Sequence, residues 1–262
     1  MALMHVNFFS EVLGLSMNMD VILPQKTRGQ IGMKGNRKDG RYPVLYLLHG
    51  MSDDHTIWQR RTSIERYVSE LGIAVVMPTV HLSFYTDMKH GLKYWTFISK
   101  ELPAVCREFF PNISDRREDT FAAGLSMGGY GALKLGLLAS DTFGAVGCLS
   151  GALDMVAELK RHEINNDNLA LFYDIFGSVK ELENSENDLL AAAVRLKKSG
   201  KPLPKIYIWC GTEDFLYEHN LTAKKQMEEL GFDLTYEEGP GDHQWKYWDE
   251  KIQRVLEWLP MK

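Results

Sequence analysis

The chain has 262 residues, 45% of them hydrophobic and 25% charged, with 30 Lys and Arg against 35 Asp and Glu and a net charge of -5. This is enough apolar chain for a large core, which argues against disorder, and too little positive charge for a duty that depends on holding a polyanion such as nucleic acid. The three cysteines, Cys106, Cys148 and Cys210, show neither C-x-x-C spacing nor an even count, so they support neither a disulfide framework nor a zinc site; Cys148 and Cys210, in apolar runs, fit small buried hydrophobes, as a reducing compartment permits.

Met1 to Glu11 carries no basic segment and no apolar run of signal-peptide length, and no window approaches about 18 apolar residues. Neither a leader nor a membrane span is expected, and cytoplasmic residence follows by default. Residues 16–23 alternate in polarity and read as a half-buried strand paired with residues 5–10 through Leu13-Gly14. Residues 26–41 are polar, basic and glycine-rich, which predicts an exposed hairpin loop. Tyr42–Leu48 and Ile73–Met77 are continuous apolar runs suited to strands buried on both faces, the second ended by Pro78. Helices are expected over 57–71 and over 94–110, with Pro103 marking a kink or a late start in the latter. Thr120–Leu125 and Ala145–Ser150 read as strands around a helix at 127–139. Lys205–Cys210 and residues 233–238 are the last strands, each followed by a helix, at 217–231 and 246–259.

This β-α-β rhythm, with buried strands that do not alternate, predicts an α/β fold: a mostly parallel central sheet with an antiparallel edge and helices on both faces. It breaks only at about 152–200, where helical patterns surround a polar middle (Asn165 to Asn168) and no strand appears. That stretch is expected to be a helical insertion or cap over the sheet of a single domain spanning residues 1–262. The short basic pairs Arg60-Arg61 and Lys224-Lys225 read as solvated helix faces.

Gly124-Leu125-Ser126-Met127-Gly128 is a G-x-S-x-G motif. By chance it occurs in roughly one chain of this length in ten, so context decides. Here it follows the strand TFAAGL and opens a helix rich in small residues, the setting in which a serine on a sharp strand-to-helix turn becomes a nucleophile in the α/β-hydrolase fold. The Met127 amide then lies at a helix N-terminus, ready for a developing oxyanion.

Triad partners in this fold follow in the order Ser, Asp or Glu, His. His243, in Gly239-Pro240-Gly241-Asp242-His243 after the last strand, is the expected base, and His219, just inside a helix, reads as surface. Asp214, after the penultimate strand, is the expected acid; Glu213 and Asp154 are the alternatives, and a helix N-cap is the structural reading of Asp214. Leu47-Leu48-His49-Gly50-Met51 ends the third strand, and Met51 is expected to supply the second oxyanion amide, with His49 orienting the loop or contacting substrate. Among the aromatic residues near strand ends, Phe84, Tyr85, Trp95, Phe215 and Trp245 are candidates for the substrate pocket, while Trp248 and Trp258 read as packing. No H-E-x-x-H or comparable spacing supports a metal site.

The stretches YPVLYLLHGMSDDHTIW, SFYTD with the following ELP, GLSMGGYGALKL, CGTEDFLYEHN and GPGDHQWKYWDEKI, spread from about residue 5 to 259, resemble the esterase D branch of α/β hydrolases, most closely bacterial tributyrin esterases. The resemblance implies hydrolysis of short-chain acyl esters without a cofactor, on a small-molecule substrate, and a homo-oligomer is compatible with it. It implies Ser126, Asp214 and His243 as the triad, Met51 and Met127 as the oxyanion donors, and Asp54 or Trp95 near the site. Relatives of this branch include S-formylglutathione hydrolases, acetylxylan and feruloyl esterases and mycolyl-type acyltransferases. The expected function is therefore a serine carboxylesterase for acetyl to butyryl esters, with a thioesterase acting on S-formylglutathione or a carbohydrate deacetylase as the alternative. An acyltransferase and a catalytically dead binding module are the more distant rivals.

Overall fold

The computed structural model describes residues 1–36 and 40–261. The expected loop at 26–41 falls partly outside them; within them its arms meet in an antiparallel bridge between Thr27 and Gly35. The strands β1 (Ala2–Ser10), β2 (Leu15–Leu23), β3 (Val44–Leu48), β4 (Ala74–Pro78), β5 (Thr120–Leu125), β6 (Ala145–Leu149), β7 (Lys205–Gly211) and β8 (Asp233–Gly239) form one sheet, ordered β1-β2-β4-β3-β5-β6-β7-β8. β2 pairs antiparallel with both β1 and β4, and each pairing from β4 to β8 is parallel. The expected pairing of β1 with β2 is present, with Ala2 opposite Leu23 and Ser10 opposite Leu15.

The helices are α1 (Ile57–Arg61), α2 (Ile64–Val68), α3 (Tyr94–Thr96), α4 (Leu102–Phe109), α5 (Met127–Leu138), α6 (Met155–Asn165), α7 (Leu169–Phe176), α8 (Val179–Leu182), α9 (Leu189–Ser199), α10 (Tyr217–Glu229) and α11 (Trp245–Trp258). They cover both faces, because side chains of a strand point alternately to opposite sides. Val44, Tyr46 and Leu48 of β3 join Val76, Ala122, Val146 and Ile206 in a core shared with α4, α5, α9 and α10. Leu45 and Leu47 join Val75, Phe121, Tyr207 and Trp209 in a second core under α1, α2 and α11. This two-sided burial is why the central strands read as unbroken apolar runs.

Two expected helices differ in form. Residues 57–71 divide into α1 and α2 because Thr62 is extended and its hydroxyl donates to the Trp58 carbonyl at 2.5 Å, satisfying the end of α1. Residues 94–109 are helical throughout, but Phe97–Glu101 between α3 and α4 is π-helical. Pro103 has no amide for the carbonyl one turn back, and the widened turn accommodates the loss. The π turn also presents Glu101 to the β1-β2 hairpin, where it accepts from Ser10 Oγ (2.5 Å) and from the amides of Glu11 and Val12 (2.7 and 3.2 Å). Between β6 and β7 lie α6 to α9 and no strand.

α5 crosses the sheet at close range because Gly128 touches the end of β3. A Cβ there would lie 2.5 Å from the Leu48 carbonyl oxygen, which also accepts from Trp58 Nε1 at 3.0 Å. Gly128→Ala is expected to cost about 1–3 kcal/mol through overpacking against immovable backbone, and to lower the thermal midpoint by several degrees in a melt followed by circular dichroism.

Candidate active site

The C-terminal ends of the parallel strands converge on one rim, where open α/β sheets place their ligand crevices. Ser126 follows β5 with φ 53° and ψ -118°, a left-handed conformation that a side-chain-bearing residue adopts only under constraint. The constraint is visible. Its amide donates to the Leu149 carbonyl (2.9 Å), and its carbonyl accepts from Tyr130 (3.1 Å) and Ala152 (3.3 Å). Gly124 makes the turn sterically feasible, since a Cβ there would meet the Gly128 carbonyl at 2.5 Å. Met127 is the first residue of α5, so its amide has no partner within the helix.

Asp214 and His243 are brought together from the ends of β7 and β8. His243 Nδ1 donates to Asp214 Oδ2 at 2.9 Å, with Oδ1 at 3.0 Å. The Asp214 side chain is fully covered, while that of His243 keeps 20% of its surface exposed. Burial works to raise the Asp214 carboxyl, but the hydrogen bond and charge of His243, followed by the Leu216 amide and the Ser150 hydroxyl, outweigh it and hold the group below the usual carboxylate range. The imidazole is held between the rings of Phe215 (4.6 Å) and Trp248 (4.8 Å), and Trp248 Nε1 is anchored on Ser150 Oγ at 3.1 Å.

The alternatives to Asp214 have other work. Glu213 accepts from the Gly241 amide and from Thr212 Oγ1 (2.8 Å), tying the β7 loop to the His243 loop. Asp154 caps α6 by accepting from the Ala157 amide at 3.0 Å. Asp214 also accepts from the Leu216 amide at 2.9 Å, so the capping reading and the pairing with His243 hold together. His219, expected at the surface, is largely buried, with Nε2 3.7 Å from Glu158.

Ser126 opens into a cavity of about 190 Å³ bounded by Met51, Phe84, Ala152, Phe172, Phe215 and Leu216 on its apolar sides. Its remaining wall is polar and comes from the 152–200 segment: Glu158, Arg161, His162 and Asn168. Arg161 and His162 bind Glu158 at 2.7 and 3.1 Å, and His162 also pairs with Asp167 and stacks on Phe172 at 4.1 Å. Sequence reasoning missed this wall because no spacing marks it. Glu158, Arg161 and His162 look like the polar face of an ordinary surface helix.

The other expected pocket residues are placed elsewhere, apart from Phe84 and Phe215. Trp95 lies 4.9 Å from Lys134 Nζ, and Trp245 packs edge-on against Trp58 and Trp248. Tyr85 is fully buried beneath the rim, and Asp54 accepts from the amide and hydroxyl of Thr56. His49 is buried with both ring nitrogens committed. Nδ1 donates to the Gly50 carbonyl (2.7 Å) and Nε2 accepts from the Val80 amide (3.0 Å). It thus orients its loop. Because N–H and C=O point oppositely in a trans peptide, anchoring the Gly50 carbonyl aims the Met51 amide the other way.

The model of the Esterase family, described as "putative esterase", matches residues 10–259. The chain belongs to the esterase family. It is 33% identical to an acetyl esterase from Caldicellulosiruptor saccharolyticus over 263 residues, covering 99% of this chain and 98% of the relative. Two solved Staphylococcus aureus structures are equally similar in sequence. One is a fluorophosphonate-binding serine hydrolase with substrate bound, with a TM-score of 0.85 and 33% identity. The other is an S-formylglutathione hydrolase, with a TM-score of 0.84 and 33% identity, and each pairing covers 98% of both chains. The fold is the α/β-hydrolase fold anticipated from the motif, and the protein is a carboxylic-ester hydrolase. Among the described residues, no helix is long and apolar enough to cross a membrane.

Burial drives the His49 imidazole from its ordinary 6.5 down to about 4, against a smaller opposing effect of the Gly50 hydrogen bond. Below about 6.5 the unfolded chain binds a proton that the folded chain refuses. Folding free energy from this group is therefore complete above about 6.5 and lost as pH falls toward 4, by up to about 3 kcal/mol. His49→Asn, which keeps a donor for the Gly50 carbonyl, is expected to flatten the pH dependence of urea denaturation between pH 7 and 4.5.

Proposed function

We propose that the protein is a serine esterase for short acyl esters, acetyl to butyryl, acting in the cytoplasm through Ser126, His243 and Asp214, with the Met51 and Met127 amides as oxyanion donors. The observation that carries this reading is the buried Asp214 carboxylate bonded to His243 Nδ1, beside a small cavity that opens on the strained Ser126. The carboxylate sets the tautomer, leaving Nε2 to take the Ser126 proton as Oγ attacks the ester carbonyl. Charge then develops on the carbonyl oxygen between the two amides, and the alcohol leaves with the proton held by His243. Water hydrolyses the acyl-enzyme by the reverse path. The three buried free thiols suit a reducing compartment.

Size supports the preference for short chains. A cavity of about 190 Å³ is below the roughly 300–1,000 Å³ of sites that enclose drug-sized ligands, and the rings of Phe84 and Phe172 line it. In this reading residues 1–262 are one catalytic domain, and 152–200 is its cover rather than a separate unit. The polar wall of Glu158, Arg161, His162 and Asn168 favours a second version of the same chemistry, in which the leaving group is polar: an acetylated carbohydrate or the thiol of S-formylglutathione.

The experiment is kcat/KM for p-nitrophenyl esters from acetate to decanoate. Activity is expected to peak between acetate and butyrate and to fall steeply beyond about C6. Ser126→Ala should lose at least about 10⁴-fold in kcat and Asp214→Asn about 10²–10⁴-fold, with both proteins folded. Wild-type activity in Ser126→Ala would refute the mechanism. Higher kcat/KM on S-formylglutathione or acetylated sugars than on any simple ester would select the second version.

A further inference from the structure

Lys134 stands on α5 two turns after Ser126 and is completely buried. A lysine in such a place is costly, since its ammonium leaves water, and a helix facing a core is ordinarily filled by an apolar residue. No carboxylate hydrogen-bonds to it among the described residues. Nζ donates to Asn187 Oδ1 at 2.6 Å and to the Tyr85 carbonyl at 3.3 Å, and it lies over the rings of Trp95 (4.9 Å) and Tyr130 (5.9 Å). Asp87 and Glu186 face it from further away. Asp87 is bound to the amide and hydroxyl of Thr96 and Glu186 is exposed, and burial prevails, lowering the Lys134 ammonium to about 7.

What Lys134 holds is the strained segment beside the site. Phe84 and Tyr85 are consecutive residues with positive φ, 49° and 54°, a pairing that persists only where the surroundings impose it. It points Phe84 into the substrate cavity and Tyr85 beneath the oxyanion loop, where Tyr85 Oη donates to the His49 carbonyl at 2.9 Å. The Tyr85 ring lies against α5 at Gly131, where a Cβ would come within 2.5 Å of it. One helix thus grips Tyr85 by its ring and, through Lys134, by its carbonyl. From His49 the chain of contacts continues to the Gly50 carbonyl, whose orientation aims the Met51 amide.

We propose that Lys134 is a positioning residue of the oxyanion loop, acting through Tyr85 and His49. The inference rests on the serine-esterase reading, because its effect is on the amide assigned to the oxyanion. It also accounts for Trp95, whose ring faces the Lys134 ammonium.

The test compares wild type, Lys134→Met, Tyr85→Phe and the double variant in kcat and KM for p-nitrophenyl acetate. The rate of labelling by a fluorophosphonate probe and the thermal midpoint are measured alongside. Each single variant is expected to lose about tenfold or more in kcat and in labelling rate with KM within about twofold, the signature of support lost in the transition state. The double variant should be no slower than about the worse single one, since both cut the same chain of contacts. A folded Lys134→Met or Tyr85→Phe with wild-type kcat overturns the inference, as do losses that multiply in the double variant. Should Lys134→Met not fold, Tyr85→Phe decides alone: a wild-type labelling rate overturns the inference, and a tenfold fall at unchanged KM supports it. A failed esterase reading looks different, because the wild type itself then neither hydrolyses nor labels, and this inference falls with it.

Discussion

Ser126 is held at a backbone conformation that costs a residue with a side chain about 1–3 kcal/mol, and much of the surrounding structure exists to sustain it. The Leu149 carbonyl, the Tyr130 and Ala152 amides and the close passage of Gly124 past Gly128 leave the turn no relaxed alternative. A parallel sheet suits this demand. β5 has partners on both sides, so the strand cannot shift to relieve the turn at its end. The same rigidity lets Gly128 of α5 lie against the backbone of β3 and against Gly124 of β5 without a looser packing becoming available.

Around that turn the polar groups are paired in ways that leave little freedom. His49 stays neutral because it is buried and spends both nitrogens on backbone, and its protonation would break the Val80 contact. Glu213 ties one loop to another while Asp214, its neighbour, meets His243, so two adjacent carboxylates make separate attachments. A buried network of this kind is expensive if half satisfied and specific when complete, which accounts for the many long-range side-chain bonds converging on this rim.

The sheet was legible because period and burial coincide. Val44–Leu48, Ala74–Pro78, Thr120–Leu125 and, after its exposed Lys205, Lys205–Gly211 are buried and mostly apolar because both faces are covered. The elbow was legible because its glycines are required by contact with backbone. The helix ends were less so: the break at Thr62 and the π turn before Pro103 depend on single hydrogen bonds that leave no periodic trace. Pocket residues were hardest. Trp95 and Trp245 have the composition of a binding wall and face Lys134 and Trp58 instead, whereas Glu158 and His162 have the composition of a solvated helix and turn inward. Direction, which decides both cases, is set by helix packing between residues far apart in the chain.

The three free cysteines carry a consequence of another kind. Cys106, Cys148 and Cys210 lie in α4, β6 and β7, all buried. Burial pushes the thiols of Cys106 and Cys148 up to about 12 and raises that of Cys210 as well, with the Asp214 charge adding to it. The thiolate is the reactive form, so the folded protein offers almost none to alkylating agents or oxidants at neutral pH. An electrophile that enters the native molecule meets no exposed thiol, since all three are buried. Each modified thiol is therefore a timestamp of a moment when the packing around it came apart.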